Sequence, residues 1–337
     1  MEEAKQQLAR QTGPRMLRAA VIGSGYLGRF HALKYHKLED VQLVAVVDSS
    51  AERAQQVGQE LGVSFYTDWT PLLADVDLVS IATPTQSHAA IAERCLQAGV
   101  AVLLEKPMTT TVAEADRLLA VAKERGVLLQ VGHLKRFHPA VVALQSGGLL
   151  REPRYLESFR LAPFKSRSLD LDVVLDLMIH DVNLALALLQ SEVVRVDAVG
   201  MPIVTTQSDV ANARLQFANG AVAQISASRV AAESVRQMRI FQENGFFTVD
   251  FARNQLSLMR RNTHPDNPVS AVESELLPIT VYDTLEAQIR AFCHAVRSGE
   301  AAVVSGEEGR GSLQVVTWIR QAIAGSGSVI VADSGSV

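Results

Sequence analysis

Lys106, Asp176 and His180 are the residues whose types and spacing suit proton and hydride chemistry. Lys106 stands in Glu105-Lys106-Pro107, directly after the apolar run Val100–Leu104. The proline restricts the preceding lysine to extended backbone, so a strand-end ammonium there can point into a crevice. Asp176 and His180 lie four apart in Asp176-Leu177-Met178-Ile179-His180, the spacing of one helical face. A histidine titrates near neutral pH, and a carboxylate beside it orients its ring; together they can take a proton from an alcohol. Asp181 faces elsewhere and reads as a structural or rim residue. Taken alone, Lys106 also reads as a solvated charge and His180 as a helix histidine satisfied by a partner. The stretch that precedes them shifts the balance toward chemistry.

That stretch carries Gly23-Ser24-Gly25-Tyr26-Leu27-Gly28 between an apolar run and a helical one, the context a dinucleotide turn requires. Gly23 permits the tight turn, Gly25 lets the backbone approach a pyrophosphate, and Gly28 lets helix pack on strand. The backbone N–H groups at the helix start then favour phosphate charge. Asp48, followed by Ser49, ends the next apolar run about 20 residues beyond Gly28, where an acid can bind ribose hydroxyls and repel a 2′-phosphate. NAD is expected over NADP, although Arg53 is a cation able to accommodate that phosphate. Thr83-Pro84 ends a third run, and His88 follows it, reading equally as a cofactor contact or a helix-start hydrogen bonder. The expected cofactor contacts are therefore Gly23 through Gly28, Asp48, Ser49, Thr83, Pro84, His88, Glu105 and Lys106.

These residues need a scaffold that brings strand ends together. Apolar runs Ala19–Ile22, Val41–Val47, Asp77–Ala82, Gly99–Leu104 and Val127–Val131 read as buried strands. Helical stretches Tyr26–Lys37, Ala51–Leu61, Gln86–Ala98 and Val112–Arg125 alternate with them, predicting parallel βαβ units in a doubly wound Rossmann sheet. After residue 150 the pattern changes. Val193–Gly200, Ala211–Phe217, Ala221–Ser228, Val235–Gln242 and Phe246–Phe251 read as successive strands, with hairpin signals at Asn219-Gly220 and Asn244-Gly245. Helices are expected at Asp172–Leu189, Thr284–Arg297 and Glu307–Ile323. The predicted C-terminal domain is α+β, with an open, mainly antiparallel sheet: one face covered by helices, the other available to a second subunit. The expected division is an extension at 1–15, an NAD-binding domain at 16–135, a substrate and oligomerisation domain at 136–325 and a tail at 326–337. Arg261–Pro268 reads as a loop.

His133-Leu134-Lys135-Arg136-Phe137-His138-Pro139 falls at the junction of the two halves. Arg136 could bind an anionic or hydroxyl-rich substrate. The histidines lack a ligand set with metal spacing, so no metal is expected. Arg154, Arg160, Lys165 and Arg167 form a basic stretch, either a solvated surface or a binding site for a diphosphate-bearing substrate. The candidate substrate contacts are Lys106, His133, Arg136, Lys165, Asp176 and His180. Net charge is −4 over 337 residues, which argues against a basic nucleic-acid footprint. No apolar run reaches the roughly 18 residues of a membrane span. With two cysteines, Cys95 and Cys293, and no signal-peptide core in residues 1–15, a reducing cytoplasm is expected.

The glycine turn, Asp48, Ala82-Thr83-Pro84, Glu105-Lys106-Pro107 and the Asp176-x-x-x-His180 helix together resemble the Gfo/Idh/MocA oxidoreductase family, over about Leu17 to Ile323. The resemblance implies oxidation or reduction of a sugar or cyclitol hydroxyl with NAD(P), with Lys106, Asp176 and His180 as the catalytic set. It also implies a homodimer or homotetramer through the C-terminal sheet. Val131-Gly132-His133, Arg136-Phe137 and Asp176–Asp181 resemble the family's UDP-N-acetylglucosamine 3-dehydrogenase branch, whose members often read Glu and Asn where this chain has Lys135 and His138. An inositol, free-sugar or non-sugar carbonyl substrate stays open beside that reading, as does a non-catalytic NAD-binding regulator.

Overall fold

The computed structural model describes residues 15–165, 171–261, 272–325 and 327–331. The residues of the expected extension before Arg15, Arg167 of the basic stretch, the loop reading at 262–268 and most of the tail lie outside them. The chain divides into two compact units, one of residues 1–132 with 285–307, the other of 133–284 with 308–337.

The first unit is built on strands β1 (Leu17–Ile22), β2 (Val41–Val47), β3 (Ser64–Tyr66), β4 (Leu78–Ile81), β5 (Ala101–Glu105) and β6 (Leu129–Gly132). They form one parallel six-stranded sheet in the order β3-β2-β1-β4-β5-β6, the doubly wound arrangement. Helices α1 (Tyr26–Lys37), α2 (Ala51–Leu61), α3 (Thr85–Gln97) and α4 (Val112–Arg125) connect the strands. Sequence chemistry sets their ends. Ser50 caps α2 by accepting from the Arg53 amide, and Thr111 with Glu114 forms a reciprocal capping box at α4. The near-continuous apolar character of β1, β4 and β5 follows from burial on both faces.

Helix Thr284–Ser298 corrects the expected division of the chain. Its Ile289, Phe292 and Cys293 lie in one buried cluster with Val21, Tyr35 and Leu43, so residues 285–307 belong to the first unit. Order along the chain suggested a helix on the second sheet, but the helix's apolar stripe fills the core of the first unit instead.

The second unit holds a nine-stranded sheet: β7 (Tyr155–Leu161), β8 (Val193–Met201), β9 (Val210–Phe217), β10 (Val222–Ser228), β11 (Val235–Gln242), β12 (Gly245–Asp250), β13 (Gln255–Arg261), β14 (Val272–Leu277) and β15 (Ser328–Ile330). The order is β14-β13-β12-β11-β7-β10-β9-β8-β15, antiparallel except for β7 beside β10. Asn219-Gly220 joins β9 to β10, and Asn244, in left-handed backbone at φ +68°, turns β11 into β12. Part of the expected tail is ordered: Ser328–Ile330 extends the sheet beyond β8. Helices α5 (Pro139–Ser146) and α6 (Ile179–Leu189) also lie in this unit, and α6 packs on β10. Val182, Ala185 and Leu188 of α6 are buried, as are sheet residues such as Ile225, Met238 and Val249.

Candidate active site

In the first unit the residues expected to contact a cofactor lie at the carboxyl ends of the strands, where open α/β sheets bind ligands. Gly23 adopts φ +93°, and a Cβ there would sit 2.6 Å from the carbonyl oxygen of Ala82. A Cβ on Gly28 would overlap the carbonyl of Gly23, so both positions demand glycine. Around Gly25, by contrast, the space is open. Helix α1 begins there without a side-chain cap and without an acid in its first turn, leaving its leading N–H groups to a phosphate. The residues fit a dinucleotide.

A cavity of about 710 Å³ opens beside this turn, lined by Gly23, Gly25, Asp48, Ser49, Thr83 and Pro84 of the expected set. Arg53, Thr67 and Trp69 line it too. The last two were missed from sequence because they follow β3, a three-residue strand too short to show a period. A cavity of about 900 Å³ opens elsewhere in this unit, on residues such as Asp77, Gly99 and Ala101 at the amino ends of β4 and β5. That is the end of the sheet opposite the glycine turn.

Asp48 is held from both sides. One carboxylate oxygen accepts from the Ser24 amide (2.9 Å) and hydroxyl (3.2 Å), the other from the Ser50 amide (2.9 Å) and the Arg53 guanidinium (2.8 Å). Burial alone would raise its pKa, but these hydrogen bonds outweigh it and hold the carboxyl below the usual range. Arg53 thus lies against the acid that should refuse a 2′-phosphate. Tyr26 is exposed, edge-on to Phe30 at 5.1 Å, and Leu27 is at the border of exposure.

His88 and Glu105 face inward rather than into the cavity. The His88 ring nitrogens lie 2.9 Å from the carbonyl oxygens of Pro107 and Thr83, linking the turns after β5 and β4. Burial lowers its pKa, outweighing the two carbonyls and the Glu105 charge that raise it, and the neutral ring donates its one N–H to one of the two carbonyls at a time. Lys106 is half-buried at the end of β5, before Pro107.

In the second unit, Asp176 and His180 are both half-buried, whereas Met178, Ile179 and Asp181 between and beside them are buried. The sequence predicts one regular helix from Asp172 to Leu189. The structure instead has a π turn at Val174–Met178 leading into α6. Its i→i+5 bonding widens the helix at Asp176, a feature that recurs at functional sites. Asp172 anchors the turn, accepting from the amides of Val174 (3.0 Å) and Leu175 (2.9 Å) and from Arg320 (2.7 Å).

The basic stretch is divided by the structure. Arg160 points into the core and binds Asp181 with two nitrogens, at 2.5 and 3.0 Å, while Ser158 donates to the same carboxylate at 2.9 Å. It is a buried partner of Asp181 rather than a surface charge, whereas Arg154 and Lys165 are exposed. His133 is buried, and so is Arg136, which binds Glu308 at 2.6 Å. The pairing with Glu308 ties the segment before α5 to helix Gly306–Ala324. Lys135 lies over the Phe251 ring at 5.2 Å. Burial, then the like charges of Arg160 and Arg236, push its ammonium down to about 8, against the pull of Asp181.

Comparison with known proteins gives a consistent picture. The model of the Gfo/Idh/MocA oxidoreductase family, NAD-binding Rossmann fold, matches residues 17–133, and that family's C-terminal-domain model matches residues 155–248. The chain is 44% identical to the UDP-N-acetylglucosamine 3-dehydrogenase of Acidithiobacillus ferrooxidans, over 91% of this chain and 97% of that one. A solved structure of that enzyme superposes with a TM-score of 0.87 over the same shares. The scyllo-inositol 2-dehydrogenase (NAD(+)) of Bacillus subtilis is 26% identical over 89% of this chain and 92% of its own.

Proposed function

Because the chain belongs to the Gfo/Idh/MocA oxidoreductase family, we propose that it is an NAD-dependent dehydrogenase oxidising the 3-hydroxyl of UDP-N-acetylglucosamine. The observation that carries this reading is the 44% identity to an enzyme of that activity across nearly the full length of both chains. Lys106, Asp176 and His180 supply the matching chemistry. His180 takes the hydroxyl proton, Asp176 orients its imidazole, and Lys106 hydrogen-bonds the oxygen as it becomes a carbonyl. NAD, when bound, supplies the hydride acceptor. Asp48 and the glycine turn hold its ribose and pyrophosphate, and Lys165 is the exposed cation offered to the substrate's phosphates. The protein's contribution is alignment and charge.

The open face of the second sheet is read as a subunit interface of a homodimer or homotetramer. Its ring Phe241 meets Tyr155 in a tilted contact at 5.4 Å and stacks on Phe246 at 4.7 Å, an apolar strip suited to burial. Two buried free thiols, Cys95 and Cys293, suit a reducing cytoplasm. The test is absorbance at the nicotinamide band with NAD or NADP and a panel of UDP-N-acetylglucosamine, free N-acetylglucosamine, scyllo-inositol and myo-inositol. Reduction of NAD by the UDP-sugar is expected. Reduction by inositols alone would overturn the substrate, and no reduction by any member would overturn the enzyme.

A further inference from the structure

One buried polar chain lies behind the cofactor end of the first unit. Tyr35 on α1 meets Ser80 on β4 (2.9 Å), and Ser80 meets His31 Nδ1 on α1 (3.0 Å). His31 Nε2 meets Glu105 Oε1 on β5 (3.1 Å), and the other Glu105 oxygen accepts the Lys106 amide (3.3 Å). Tyr35, Ser80 and His31 have no exposed surface. Their partners fix one direction for the chain. With Glu105 ionised, His31 donates from Nε2 and accepts at Nδ1 from Ser80, which in turn accepts from Tyr35. A neutral imidazole satisfies every group. The chain ends in the core at Tyr35, with no exit to water, so it cannot carry protons to or from a reaction. What it can do is hold a carboxylate still.

Gly132, the register partner of Glu105 on β6, supports this reading. A Cβ there would lie 2.5 Å from Glu105 Oε1, so neighbouring strand and helix are both shaped around this one carboxylate. Glu105 immediately precedes Lys106, and His31 sits on the helix that opens at the glycine turn. We infer that His31 is a positioning residue: through Glu105 it fixes the strand end that aims Lys106, and it ties that strand end to the glycine-turn helix.

This rests on the reading that Lys106 acts on the reacting oxygen. The test compares His31→Leu, which keeps bulk but loses both hydrogen bonds, with His31→Gln, whose amide can still donate to Glu105. NADH binding, followed by nicotinamide fluorescence, establishes that each variant retains its cofactor site. His31→Leu should lower kcat by about 10- to 10²-fold, the cost of a misplaced group, with the KM for NAD little changed. His31→Gln should restore most of it. In a Lys106→Met background His31→Leu should cost little more, because its effect runs through the ammonium. Undiminished kcat in His31→Leu, or an equal loss with and without Lys106, would overturn the inference. Unimpaired turnover in Lys106→Met alone would instead overturn the underlying reading. A substrate-free readout is competitive acetylation of the NADH-bound protein by mass spectrometry. The labelling rate of Lys106 relative to the other lysines should change in His31→Leu and return in His31→Gln; no change would count against the inference.

Discussion

Lys106→Met removes an ammonium while keeping side-chain length, and turnover should fall by at least about 10²-fold, the low end of acid–base assistance. Steady-state rates with NADH binding intact would check it. Asp48→Ser should weaken NAD and release Arg53 toward a 2′-phosphate. The ratio of kcat/KM for NAD over NADP should fall by about tenfold or more, one charge-assisted contact's worth. His138 governs an acid limb. Its ring accepts from the Ala140 amide at the start of α5 and meets Asn254 at 2.9 Å, an arrangement for the neutral form. Burial, then the charge of Lys135, pushes its pKa from 6.5 down to about 4. The folded pKa is depressed, so the stabilisation is full above about 6.5 and disappears as pH falls through about 4; its size is on the order of 3 kcal/mol. Thermal unfolding from pH 7 to pH 4 should lose less stability in His138→Asn than in the parent. At this scale the strand-end positions of the glycine turn, Asp48 and Lys106 were legible because each follows an apolar run. The inward roles of His88, Glu105 and Arg160 were not, since polar side chains at strand ends carry no sign of direction.

Asp172 acts on an element. Its carboxylate satisfies two amides at the head of the π turn and binds Arg320, so it sets where the turn carrying Asp176 begins. Asp172→Ala should cost about 1–2 kcal/mol of stability through the lost cap and should lower kcat while leaving NADH affinity intact. Calorimetry and fluorescence titration read the two effects separately. The π turn was not legible, because the apolar spacing of Leu175, Ile179, Val182 and Leu186 fits an ordinary helix. Strand β7 was missed for a different reason. Its inward residues are Leu156, Ser158 and Arg160, and only Asp181, from a distant segment, makes that polar face suitable for a core. The alternating strands β8 to β12, with their Asn-Gly turns, were read with ends within a residue or two because each meets water on one face and apolar core on the other.

For the whole molecule, the two-part architecture was legible from the change of period near residue 150, but the return of residues 285–307 to the first unit was not. An amphipathic helix declares which of its faces is apolar, and Phe292 and Ile289 declare nothing about which core they enter. In the proposed reaction the carbon whose hydroxyl gives up a proton gives up its hydride to NAD. UDP-N-acetylglucosamine deuterated at ring carbon 3, incubated with the protein and NAD, tests this most directly. Mass spectrometry of the nicotinamide product should find one deuterium on the reduced ring. Unlabelled NADH, or no reduction at all, would contradict the account.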